Sequence, residues 1–108
     1  MEQIAQPPRP PYYAVIFTSI RTSTDAGYSK TSERMLELAQ QQPGFIGVDS
    51  VRNGNFGITV SYWKDEASIQ LWKQQSEHLL AQQSGKEKWY EHYRVHIARV
   101  DRNYSFEK

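Results

Sequence analysis

The sequence predicts an α+β domain in which a four-stranded antiparallel sheet carries its helices on one face. Three observations lead to it. Four runs rich in β-branched and aromatic residues, 12–20, 45–52, 56–64 and 92–101, read as strands. Stretches with apolar residues at helical spacing lie between the first and second runs and between the third and fourth. The dipeptide Asn53-Gly54 joins the two middle runs as a tight hairpin. The order β-α-β-β-α-β is one split βαβ unit, a ferredoxin-like sandwich with no internal repeat.

Each element has its own reason. Residues 1–11, with Pro7, Pro8, Pro10 and Pro11, form a stiff extended leader before a domain of residues 12–108. In the first strand, Tyr12, Ala14, Ile16 and Ile20 share one side and Tyr13, Val15 and Phe17 the other. Both sides are apolar, so the strand is buried on both. A helix over 25–41 is capped by Ser23, Thr24 or Asp25, places Tyr28, Met35, Leu38 and Ala39 on one stripe, and stops at Pro43-Gly44. Glu33 and Glu37 fall on its polar side. The third run alternates Phe56, Ile58, Val60 and Tyr62 against Gly57, Thr59, Ser61 and Trp63.

Asp65 caps the next helix, whose apolar side is Ile69 and Trp72. The pattern then breaks, and Ser76-Glu77-His78-Leu79 reads as a fresh cap and a second helical segment ended by Gly85. Residues 86–91 add one more turn. In the last strand, 92–101, Tyr93, Val95 and Ile97 alternate with Arg94, His96, Ala98 and Val100. Residues 103–108 form a tail carrying Tyr104 and Phe106.

Composition excludes several classes. The 108 residues suit one domain, and 38% hydrophobic with 23% charged residues mark it as globular. Thirteen Lys and Arg against 12 Asp and Glu, interleaved, leave no basic stripe for a nucleic acid. The absence of cysteine excludes disulfides, thiolate metal sites and a cysteine nucleophile. The start of the chain shows no apolar run, so neither a signal peptide nor a membrane span is expected, and the cytoplasm is the default location.

Burial argues for a partner. Helices on one face leave the other face of the sheet bare, yet the first strand is apolar on both. A second copy stacking on that face would cover it, so a homodimer is expected. The competing arrangement is a monomer roofed by its own tails.

Pro43-Gly44-Phe45, the run from Ile58 to Trp63, Trp72, Glu77-His78 and the Trp89-Tyr90…Tyr93 cluster together resemble the antibiotic biosynthesis monooxygenase family. The resemblance extends from about Tyr12 to about Tyr104. It implies dimeric α+β barrels of ferredoxin-like subunits. Family members include cofactor-independent oxygenases of quinols and polycyclic phenols, haem-degrading enzymes, and proteins of no known activity. The haem-degrading branch relies on an Asn in the first strand and a His–Trp pair. Here 12–20 holds no Asn, His78 falls closer to Trp72 than that pattern has it, and Gln83 occupies roughly the matching later turn.

The oxygenase reading needs no cofactor. The substrate itself reduces O₂, so it must be an electron-rich phenol or enol that loses a proton inside an apolar pocket. Aromatic walls are available in Trp63, Trp72, Tyr90 and Tyr93, though Trp72 beside Ile69 is first a packing residue. His78 is the candidate base, because imidazole titrates near neutral pH. An unbroken helix would set His78 away from the Ile69–Trp72 stripe; the break at Ser76 removes that objection. His92 and His96 on a strand are too far apart to chelate one ion easily, and no metal is expected. The competing readings are a non-catalytic dimeric module for a small apolar ligand, and a haem-binding relative.

Overall fold

The computed structural model describes residues 4–108, so the first three residues of the leader lie outside it. The elements run β1 (Tyr12–Arg21), α1 (Tyr28–Gln41), β2 (Phe45–Asn53), β3 (Phe56–Trp63), α2 (Glu66–Gln82), α3 (Gly85–Trp89) and β4 (Tyr90–Val100). The ferredoxin-like expectation holds: one four-stranded antiparallel sheet in the order β2-β3-β1-β4. No helix of the described residues is long and apolar enough to cross a membrane.

Register assigns the faces. Tyr13, Val15, Phe17 and Ser19 stand opposite Trp63, Ser61, Thr59 and Gly57 of β3, and opposite Arg99, Ile97, Val95 and Tyr93 of β4. This face carries the helices. Trp63, Ala39 of α1 and Ile69 of α2 form the buried core, with Tyr13, Val15, Phe45 and Trp72 packed on it. The two long helices cover the β2–β3 half of the sheet, α1 against β2 and α2 against β3, while the short α3 leads into β4. They leave the β4 side of the same face uncovered, where Val95 and Ile97 are 46% and 50% exposed.

Four sequence expectations are corrected. First, α1 begins at Tyr28, with Gly27 at its N-cap in the left-handed region and no side-chain cap. The polar residues before it serve Arg21 instead, whose Nη2 donates to Thr24 O at 2.9 Å and Asp25 Oδ1 at 3.0 Å. Second, Asn53 pairs with Phe56, so the turn is centred on Gly54-Asn55 with positive φ at Gly54 but not at Asn55. Glycine at the first central position is the type II′ requirement. Asn55 is held by its carbonyl, which accepts from Arg21 N and Arg52 Nη1, each at 2.8 Å.

Third, α2 is unbroken. Asp65 caps it as expected, accepting from Ser68 N at 2.8 Å. Ser76 starts no new segment; its hydroxyl donates back to Lys73 O at 3.1 Å and is satisfied inside the helix. Fourth, Gly85 begins α3 rather than ending α2. The left-handed residue is Ser84, with φ 51°, while Gly85 is needed for another reason: a Cβ there would lie 2.5 Å from the Trp89 ring.

The open face is partly roofed by the chain's own ends. Ala5 N donates to Asp49 Oδ1 at 2.8 Å, and Asn103 Nδ2 donates to the Tyr12 hydroxyl at 2.8 Å. Tyr12 and Ala14 are buried as a result, and Tyr12 meets Tyr62 edge-on. At the other end Ile20, Val51 and Phe56 remain exposed on the same face.

Candidate functional site

The structure places the aromatic residues singled out from the sequence in two groups. Trp63 is fully buried; Trp72 stacks on it at 6.2 Å and Phe45 meets it edge-on at 5.4 Å. The Trp63 indole is satisfied, donating to Ser61 Oγ at 2.9 Å. The second group is Tyr90 and Tyr93, 5.5 Å apart, with Phe17 at 5.7 Å from Tyr90 and 5.3 Å from Tyr93. Tyr13 of β1 faces Trp63 and Ser19 faces Tyr93. Six residues of strand at about 3.3 Å each separate those positions by roughly 20 Å. A ligand of one or two fused rings cannot touch both groups.

His78 joins neither. At about 100° per residue it lies half a revolution from Ile69 on the unbroken α2. It is exposed, with Nε2 at 3.2 Å from Gln82 Nε2. The geometric objection to His78 therefore returns. His92 and His96 stand opposite Ile20 and Ile16 on the open face, exposed. No imidazole looks into the space between helices and sheet.

The Tyr90 end contains groups that sequence reasoning passed over. Arg21 is buried, and its guanidinium lies 3.3 Å from the centre of the Tyr28 ring. Its Nε is buried with no hydrogen-bond partner. Tyr28 packs edge-on against both Trp89 and Tyr90. Trp89 is anchored by its indole N–H to Ala26 O at 2.9 Å, and Thr22 Oγ1 donates to Lys88 O at 2.7 Å. Arg52 lies flat across Gly57, where a Cβ would come within 2.5 Å of its guanidinium, and its Nη2 donates to the buried Ser19 Oγ at 2.9 Å. Glycine inside a strand marks such close approaches, and Gly57 was the available signal.

The electrostatics of this end follow from burial. Burial, then the neighbouring Tyr28 hydroxyl, push the Tyr90 phenol well above its ordinary range, with Arg52 and Arg21 pulling the other way. Tyr90 therefore keeps its proton to higher pH than an ordinary tyrosine. Arg21 has the exposed Asp25 as ion-pair partner; among the described residues no carboxylate pairs with Arg52. Two guanidiniums, two phenols and one carboxylate thus lie at the head of the strip of sheet left uncovered by α1 and α2, an open trough only in the sense that Phe17, Val95 and Ile97 floor it. Two clefts lie elsewhere: one of about 810 Å³ between leader and tail at Arg9, Arg102 and Tyr104, and one of about 400 Å³ at Pro8, Tyr12, Phe45 and Lys64. None of the candidate site residues Trp63, Trp72, His78, Tyr90 and Tyr93 lines either.

Comparison with known proteins agrees with this architecture. SnoaB from Streptomyces nogalater, described as a cofactor-independent oxygenase, was solved as a variant that superposes with TM-score 0.69 at 13% identity, covering 85% of this chain and 95% of its own. PA3566 from Pseudomonas aeruginosa gives TM-score 0.67 at 15% identity over 89% of this chain and 98% of its own. Likeness at such identities speaks for the fold alone. The Bacillus subtilis (strain 168) protein YqjZ, itself uncharacterized, is 48% identical over 109 residues, spanning 100% of this chain and 96% of YqjZ. The family model for antibiotic biosynthesis monooxygenase matches residues 11–84. The chain belongs to the antibiotic biosynthesis monooxygenase family.

Proposed function

We propose that the chain is a cofactor-independent oxygenase that oxidises a small electron-rich phenol or quinol with O₂, and that the ring lies at the Tyr90–Tyr93 end of the trough. The observation that supports this is the strip of half-exposed apolar side chains, Val95 and Ile97, on the helix-bearing face beside Phe17, Tyr90 and Tyr93. Such a strip offers a flat ring an apolar surface to rest on. The kinship with SnoaB's fold points the same way.

The chemistry is balanced without a cofactor. With 1-naphthol, loss of the phenolic proton makes the ring electron-rich enough to bond O₂ at the para carbon. The O–O bond then breaks as the para C–H proton leaves. One oxygen remains as the new carbonyl of 1,4-naphthoquinone, and the other departs as hydroxide and becomes water. The protein's part is to hold the ring and favour the anion.

Trp63 and Trp72 serve this reading as the packed wall behind the trough rather than as ring contacts. His78, on the outer side of α2, has no path to the ring within one subunit. His78→Ala is therefore expected to keep its oxygen uptake; loss of uptake would restore it as the base. We also propose that the Ile20, Val51 and Phe56 end of the open face joins a second copy of the chain.

One observation favours a second reading: with no imidazole in the trough, the same space fits a binding module without catalysis. Oxygen uptake over a panel of naphthols and quinols separates the two. Uptake above the protein-free rate supports the oxygenase. A folded protein that binds the phenols and consumes no O₂ is a binding module.

A further inference from the structure

We infer that the head of the trough is an oxyanion site, built by Arg21 and Arg52 with the hydroxyls of Tyr28 and Tyr90, that takes the charged oxygen of a planar aromatic. The inference rests on the ring lying in the trough, as proposed above, and adds the charge state in which the ligand is held.

The residues converge from separate elements. Arg21 ends β1, Arg52 comes from β2, Tyr28 opens α1 and Tyr90 opens β4. Asn55 O ties the first two together, accepting from Arg21 N and Arg52 Nη1. Arg52 Nη2 reaches Ser19 Oγ, two residues before Arg21 on the same strand. The Arg21 guanidinium lies 3.3 Å from the centre of the Tyr28 ring, which meets the Tyr90 ring edge-on at 6.3 Å.

The guanidiniums already give to Thr24 O, Asp25 Oδ1, Asn55 O and Ser19 Oγ, yet Arg21 Nε has no acceptor. Guanidinium groups carry only N–H donors, and a protonated phenol donates as well. The one carboxylate, Asp25, sits on Arg21 with its own side chain 86% exposed, on the outer side. Arg21 Nε is left buried and without a partner, an arrangement that leaves a desolvation cost standing unless something accepts from it. An anionic oxygen with a flat ring attached answers both features: it accepts from the guanidiniums, and its ring rests on Phe17 and Tyr93. Charge stabilisation by the two arginines then makes a bound phenol a stronger acid, lowering its pKa, so the trough needs no histidine base.

Carboxylate and phenolate share this chemistry, and the test separates them. The probes are 1-naphthoate, 1-naphthol and the neutral 1-naphthalenemethanol, with affinity read from quenching of tryptophan fluorescence. The folded wild-type chain is expected to bind 1-naphthoate at least tenfold more tightly than 1-naphthalenemethanol, and Arg52→Gln to abolish that preference. Arg52→Lys is expected to retain part of it. Arg52 is exposed, so its variants keep the fold where an Arg21 variant could lose it. A naphtholate absorption band from bound 1-naphthol, at a pH where the free compound is neutral, identifies phenolate as a ligand; 1-naphthoate binding without that band identifies carboxylate. Equal affinity for the charged and neutral probes, or an Arg52→Gln chain as selective as wild type, overturns the inference. Selective binding of 1-naphthoate with no oxygen uptake leaves the oxyanion site standing and removes the oxygenase; uptake without selectivity does the reverse.

Discussion

Two glycines show how different the same substitution is at two places. At Gly57 an added methyl meets the far end of the Arg52 side chain, which can swing away. Gly57→Ala is expected to cost less than about 1 kcal/mol in denaturant unfolding while displacing Arg52 from Ser19. At Gly85 the methyl meets the Trp89 ring, which is 1% exposed and held by its indole hydrogen bond. Gly85→Ala is expected to cost about 1–3 kcal/mol. Tyr90 supplies a pH test with a definite sign. Its phenol is raised in the folded chain, so the folded state stays protonated above pH 10, where an unfolded tyrosine ionises. The associated stability is complete below the unfolded value and falls as pH climbs from there toward the folded one. The denaturation midpoint is expected to drop through this window less steeply in Tyr90→Phe. At this scale the aromatics of the site were legible, because large rings on a strand announce packing or contact. Arg21 and Arg52 were not, because a lone arginine in a strand reads as solvated surface, and only register shows both on the helix-bearing face.

Helix and strand identity were written in local chemistry, and the errors fall where a polar side chain had two uses. Asp65 caps α2 as its position promised. Ser76 had the composition of a cap but bonds within the helix, so α2 runs on and carries His78 outward. Asp25 looked like a cap for α1 and is instead the ion-pair partner of Arg21. The α2–α3 junction offers a stability test. Ser84 sits in the left-handed region at φ 51°, which costs a non-glycine residue roughly 1 kcal/mol. Ser84→Gly is expected to raise stability by about 0.5–1 kcal/mol, read as a shift of the unfolding midpoint with an unchanged slope. No gain there would mean that the junction relaxes at no cost.

At the scale of the whole molecule, the β-α-β-β-α-β order and the two-sided apolar character of β1 were enough to give the sheet and its helix layer. The fate of the open face was not, since it depends on where an irregular leader lies. Ala5 anchors that leader to Asp49 and shields the Tyr12–Tyr62 end, while Ile20, Val51 and Phe56 stay bare. If a second copy covers this end, sedimentation equilibrium should show a dimer, and Phe56→Lys should shift it toward monomer; a monomeric wild type at high concentration would show the bare end to be tolerated. Uncovered Val95 and Ile97 on the opposite face are the corresponding feature for function, because a helix layer that covered β4 would leave no trough. The reading of that trough as a cofactor-free oxygenase site is tested most directly by supplying isotopically heavy oxygen gas with 1-naphthol to metal-stripped protein and weighing the product. The expected product is 1,4-naphthoquinone with a single heavy oxygen, formed faster than without protein and slowed at least tenfold in Arg52→Gln. Quinone formed no faster than in buffer, or carrying no heavy oxygen, would contradict that reading.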